Sequence, residues 1–121
     1  MNIQQLYEFC LSKKGVTEHF PFDETILVFK VGGKIFALSS LKDWENNTPA
    51  INLKCNPERA VELRAEYEAV EPGFHMNKVH WNTITFNKDA SDKMICELIH
   101  HSYELVFESL TKKIQNEIIA L

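Results

Sequence analysis

The chain has 121 residues, 45% of them hydrophobic and 25% charged, with 13 basic and 17 acidic side chains for a net charge of −4. That length suits one domain with a single core, and the composition excludes a disordered or fibrous chain. No apolar run nears the ~20 residues that span a bilayer. The amino terminus, MNIQQLYEF, lacks the basic and apolar regions of a secretion signal, so a cytoplasmic protein with no membrane partner is expected.

In chain order, Asn2 can cap a helix whose apolar face is Ile3, Leu6, Tyr7 and Cys10, with Lys13 and Lys14 at its negative end and Gly15 as a left-handed stop. TILVFKV-GG-KIFALSS follows, two β-rich runs joined by two glycines, the signal for a tight hairpin with positive φ angles. Pairing Val31 with Lys34 places Leu27, Phe29, Phe36 and Leu38 on one face, predicted to be core, and Ile26, Val28, Lys30, Ile35 and Ala37 on the other. Residues 42–49 read as a polar loop. AINLKC reads as a strand with Ile51, Leu53 and Cys55 inward and Asn52 and Lys54 outward.

Asn56 and Pro57 then suit the cap and first turn of a helix through PERAVELRAEY. After a strand containing Ile84 and Phe86, a long helix starts near Ser91 with a stripe of Ile95, Leu98, Ile99, Ser102, Leu105 and Val106. A break at SLT precedes a last helix with Ile114 and Ile118 on one side. The order α-β-β-β-α-β-α-α predicts one α+β domain over residues 1–121, a largely antiparallel sheet packed against helices.

Charge is unevenly spread. Residues 25–42, 46–57 and 72–88 contain no Asp or Glu and hold six lysines: Lys30, Lys34, Lys42, Lys54, Lys78 and Lys88. The rest of the chain keeps seven basic and all 17 acidic residues. The predicted sheet is therefore basic and the helices acidic. Helices favour Glu and strands tolerate exposed Lys, but the same split suits a sheet surface that attracts an anion, with Lys30, Lys54 and Lys78 on one solvent-facing side.

Signatures of catalysis are missing. VGGK lacks the first glycine and the Ser/Thr of a phosphate-binding loop, and there is neither GxSxG nor GxGxxG. Cys10, Cys55 and Cys96 form no CxxC pair, which predicts reduced thiols, with Cys55 a core residue. His75 and His80 match no metal-ligand spacing, and His100 and His101 point about 100° apart on a helix. No enzyme, metal site or cofactor is predicted. Asp23 and Glu24, adjacent before the hairpin, suit a turn.

One stretch does resemble a site: PGFHMNKVHWNTITF, residues 72–86. Pro72-Gly73 makes a turn. His75, Asn77, Lys78, His80 and Asn82 then surround Trp81 in an acid-free window. That mix suits hydrogen bonds to phosphates and stacking on a base. It equally suits a polar loop whose side chains satisfy their own backbone.

PFDETILVFKVGGKIFAL, INLKCNPERAVELR, PGFHMNKVHWNTI, HSYELV and SLTKK, in this order, resemble the MmcQ/YjbR family of small bacterial proteins, and HMNKVHWN is the most specific part. The resemblance implies a CyaY/frataxin-like fold, DNA binding, and no catalytic residues. Its marked positions fall on Pro21, Phe22, Asp23, Gly32, Gly33, Lys34, Asn52, Leu53, Lys54 and much of 72–82. Val79 departs from it, where a second basic residue is frequent, and Thr111 replaces a frequent proline. Frataxin-like folds suggest iron, but the first helix carries only Glu8, so iron is not predicted.

The expected function is a non-enzymatic binding domain for nucleic acid, DNA or RNA. Its predicted contact residues are Lys30, Lys34, Lys54, His75, Asn77, Lys78, His80, Trp81 and Asn82. The alternative is a regulatory domain that binds a protein or small anion through the same loop.

Overall fold

The computed structural model describes residues 1–121. The chain runs α1 (Ile3–Leu11), β1 (Val16–His19), β2 (Ile26–Val31), β3 (Lys34–Ser40), α2 (Leu41–Glu45), β4 (Ala50–Lys54), α3 (Pro57–Glu66), β5 (Val70–Pro72), β6 (Trp81–Thr85), α4 (Asp92–Glu108) and α5 (Lys112–Ile119). The six strands form one sheet in the order β1-β2-β3-β4-β6-β5, every neighbouring pair antiparallel. This is the α+β architecture expected, with three additions: β1, α2 and β5.

Helix starts are set by side-chain caps. Asn2 Oδ1 accepts from Gln5 N and Gln5 Oε1 from Asn2 N, a reciprocal box that satisfies two orphan donors of α1. Asn56 caps α3 ahead of Pro57, Ser91 caps α4 and Thr111 caps α5. Residues 42–45 of the expected loop are instead helical, as part of α2. Ser40 caps it, and Trp44 holds it down by packing on the Phe86 ring at 4.9 Å and donating its Nε1–H to Ser39 Oγ. Tertiary burial of one indole does what helix propensity in LKDWE does not.

The hairpin turns at Gly32 and Gly33, with φ of 56° and 81°. Val31 pairs with Lys34, as expected. Further along, however, Phe29 pairs with Ala37 while Lys30 pairs with Ile35, so Phe36 opposes no residue of β2. This bulge resets the alternation. Phe36 and Ala37 are both fully buried in the core, whereas Leu38 turns to the opposite face beside Val28. The expected face assignments of Ala37 and Leu38 are thus exchanged. At the bulge, Ser102 of α4 donates its hydroxyl to Phe36 O at 2.6 Å and accepts from Lys54 N at 2.9 Å.

All strand residues of the core cluster lie on the helix-facing side: Leu27, Phe29 and Val31 of β2, Ile51 and Leu53 of β4, Val70 of β5 and Ile84 of β6, with Phe36 and Ala37 of β3. Leu6, Leu63, Ile95, Ile99, Val106 and Ile118 bring the helices onto them. The other face of the sheet, called outer below, contributes nothing to this cluster.

The hairpin turn gives a graded prediction. A Cβ on Gly32 would lie 2.5 Å from Leu110 Cδ1, whereas one on Gly33 would meet nothing within 4 Å. Gly33→Ala should therefore cost only the left-handed strain, about 1–2 kcal/mol. Gly32→Ala adds overpacking against Leu110, for about 2–4 kcal/mol in all. Urea denaturation of both variants checks the order, and equal costs would refute it.

Candidate functional site

Register fixes which side chains share the outer face. One row holds Thr17, Lys30 and Ile35, with Lys54 and Trp81 at the same end of the sheet. The next holds His19, Val28, Leu38, Asn52, Thr83 and Glu71. Same-face neighbours along a strand are about 7 Å apart, and strands flanking a common neighbour are about 10 Å apart. Lys30 and Lys54, on β2 and β4 with β3 between them, therefore stand as a pair on this face. Neither ammonium makes a hydrogen bond or ion pair with the protein, and both side chains are half-buried. Trp81 is half-buried beside Lys54, on the outer face rather than in the core.

Beyond the lysine row, two loops rise over the outer face and enclose a groove of about 460 Å³. Phe22 lines it from the segment between β1 and β2, and Phe74, His75 and Met76 from the segment between β5 and β6. Leu38, Asn52 and Thr83 contribute from the strands. Phe22 and Phe74 are each 66% exposed, an unusual state for two rings lining one groove. No Lys or Arg lines the groove, and its one carboxylate belongs to Asp43.

Both loops are pinned. Asp23 Oδ1 accepts from Thr25 N and Thr25 Oγ1 at 2.7 and 2.6 Å. Hydrogen bonding from the Thr25 hydroxyl, then from its backbone N–H, holds this carboxyl below its usual range. In the second loop Asn77 Oδ1 accepts from Val79 N and His80 N, and Lys78 Nζ donates to Gly73 O at 2.8 Å. Asn52 Nδ2 donates to Phe74 O, and Phe74 N donates to Thr83 Oγ1. His75 sits at φ 59° within this frame, its ring 4.1 Å from that of Phe74.

The polar residues expected to contact a ligand thus divide. Asn82 is 1% exposed and points to the core side, where its Oδ1 accepts from Arg64 Nε at 2.7 Å. Asn77 and Lys78 are spent on loop backbone, so the expected surface of Lys30, Lys54 and Lys78 reduces to Lys30 and Lys54. Asn77 and Lys78 share one cause, a loop whose own side chains satisfy its backbone groups, whereas Asn82 is drawn to the core side by Arg64. Lys34 lies toward the helices, its Nζ 3.4 Å from Ser109 Oγ. His75 and His80 are exposed, and only His75 lines the groove.

Phe22, Phe74 and Arg64 are additions that residue chemistry did not single out. Arg64 of α3 also donates to Trp81 O and to Lys78 O, so one guanidinium clamps the loop from the core side. An aromatic beside Pro21 and another beside Gly73, each in a turn rather than a strand, was the available signal.

Burial shifts titratable groups elsewhere in the fold. Burial pushes the Cys10 thiol up to about 12 and raises Cys55 too, leaving both far from thiolate. His101, whose Nε2 accepts from Asn56 N, has its pKa lowered by burial. No helix is long and apolar enough to cross a membrane.

Comparisons with known proteins agree on kinship. The chain is 37% identical over 99 residues to the uncharacterised protein YbdF of Escherichia coli O157:H7, covering 82% of this chain and 79% of that one. It is 31% identical over 121 residues to the uncharacterised protein YjbR of Escherichia coli strain K12, covering the whole of both. A crystal structure of a Deinococcus radiodurans protein with a DUF419 domain superposes with a TM-score of 0.87 at 34% identity, over 97% of this chain and 87% of that one. A Pseudomonas syringae crystal structure gives 0.73 at 27% identity, over 88% and 99%. With the YjbR family model matching residues 11–105, the chain belongs to the YjbR family.

Proposed function

We propose that this chain is a cytoplasmic nucleic-acid-binding domain, not an enzyme, and that its contact surface is the outer face of the sheet. The observation that carries this reading is the pair of uncommitted lysines, Lys30 and Lys54, beside Trp81 on a face that contributes nothing to the hydrophobic core cluster. Lysines on strands about 10 Å apart can hold two phosphates, while the half-buried indole can receive a base. Most acidic residues lie on the helices and loops, and Glu71 on β5 is an acidic exception on this face.

Net charge of −4 opposes long-range attraction, so affinity is weak and carried by these local contacts. With about two phosphates engaged, log K against log salt should slope by roughly −1.5 to −2. Lys30→Ala and Lys54→Ala should each flatten the slope by about 0.7–0.9, whatever the sequence of the probe. Fluorescence anisotropy of labelled DNA and RNA across a salt series checks this. Binding without salt dependence, or a slope unchanged in both variants, would remove the reading.

A further inference from the structure

We propose that the groove between Phe22 and Phe74 receives an unpaired base, which makes single-stranded nucleic acid, rather than duplex, the ligand class; this rests on the nucleic-acid reading above. The outer face is divided by chemistry. The lysine row offers positive charge, whereas the adjoining groove has no Lys or Arg: half of its lining is hydrophobic, and the other half is Ser39, Ser40, Asp43, Asn52, His75 and Thr83. A phosphate is therefore favoured at Lys30 and Lys54 and repelled from the groove, whereas a flat uncharged ring is favoured inside it. The two zones are one same-face step apart along β4 and β6, Lys54 to Asn52 and Trp81 to Thr83, or about 7 Å. That is the reach from a backbone phosphate to its own base.

The groove is also held ready. Two rings left 66% exposed to water are unfavourable unless something covers them, and the loops bearing them are fixed by hydrogen bonds rather than left to collapse. His75 is kept in the left-handed region with its ring against Phe74, a conformation that only the surrounding frame maintains. Such a frame places Phe74, His75 and Phe22 around one space at little further entropic cost on binding. In a duplex the base faces are stacked on each other and only edges are displayed. Contact with these rings therefore requires a base free of its stack, which a single strand supplies.

The experiment compares anisotropy titrations of a labelled single-stranded oligonucleotide and of the duplex made from it, at low salt, with the full chain. Wild type should bind the single strand more tightly. Phe22→Ala and Phe74→Ala should each weaken single-strand binding by roughly 10- to 100-fold and leave the duplex isotherm unchanged. Phe74→Tyr should restore the single-strand affinity. Both rings are exposed, so the variants should melt with the wild type, and circular dichroism confirms that folding is intact. Duplex bound as tightly as single strand, with the phenylalanine variants unaltered and Lys54→Ala still weakening both, would overturn the base-in-groove inference and leave the lysine surface standing. No binding of either form would overturn both.

Discussion

Ser102→Ala should destabilise the domain by about 2–4 kcal/mol, although it deletes a single oxygen from a helix that serine favours less than alanine. The reason is the bulge. At the bulge, where Phe36 opposes no residue of β2, the β3–β4 register ends at Ala37 and Leu53, one residue short of Phe36 and Lys54, and Ser102 bridges Phe36 O and Lys54 N instead. Ser102 is fully buried and serves both groups at once, donating at 2.6 Å and accepting at 2.9 Å. Alanine leaves a buried carbonyl and a partly buried N–H without partners, each costing about 1–3 kcal/mol. Ser102→Thr keeps the hydroxyl and adds a methyl to a packed position, so it should lose less through the hydrogen bonds and something through crowding. A urea midpoint that falls with an unchanged m-value is the expected signature. If Ser102→Ala instead matches or exceeds wild-type stability, helix propensity outweighs the bridge and the bulge is satisfied by other means.

The same bulge marks the limit of what could be read from the chain. Alternation across Gly32-Gly33 predicts register and core face correctly until Phe36, because nothing in KIFALSS distinguishes a regular strand from one with an extra residue. Long periodic elements were legible: the α4 stripe from Ile95 to Val106, and the cap residues Asn2, Asn56 and Ser91. Short elements were not. β1 is four residues with a mixed pattern and β5 is three ending in Pro72, both at sheet edges where one neighbour suffices to define them. α2 exists because Trp44 has a place to pack. In the candidate site, Lys30 and Lys54 could be placed by parity alone. The fate of Asn82 depended on Arg64, which lies 18 positions earlier and has no local signature, and those of Asn77 and Lys78 on how the loop folds back on its own backbone.

Arg64→Ala should therefore reach the outer face without being part of it. The guanidinium is half-buried and donates through Nε to Asn82 Oδ1 at 2.7 Å and through a terminal nitrogen to Trp81 O at 3.2 Å, as well as to Lys78 O. Removing it leaves the 1%-exposed Asn82 amide without its charged donor and frees two carbonyls of the loop. A charge-assisted hydrogen bond of this kind is worth about 1.5–3 kcal/mol, and the orphaned acceptors bring the expected loss to about 2–4 kcal/mol. Arg64→Lys should recover less than half of it, because an ammonium is a single point of donation where the guanidinium fork spans three acceptors. The loss should be local before it is global. The Trp81 N–H, bonded to Asn77 O at 3.0 Å, should exchange with solvent faster by more than the global change in stability accounts for. Phe74 and His75 then lose their fixed placement over Asn52 and Thr83. Single-strand affinity should drop about as far as in Phe74→Ala, while the salt slope set by Lys30 and Lys54 persists. Exchange at Trp81 that tracks global unfolding, or an Arg64→Ala variant within about 0.5 kcal/mol of wild type, would mean that the loop holds its shape without the clamp.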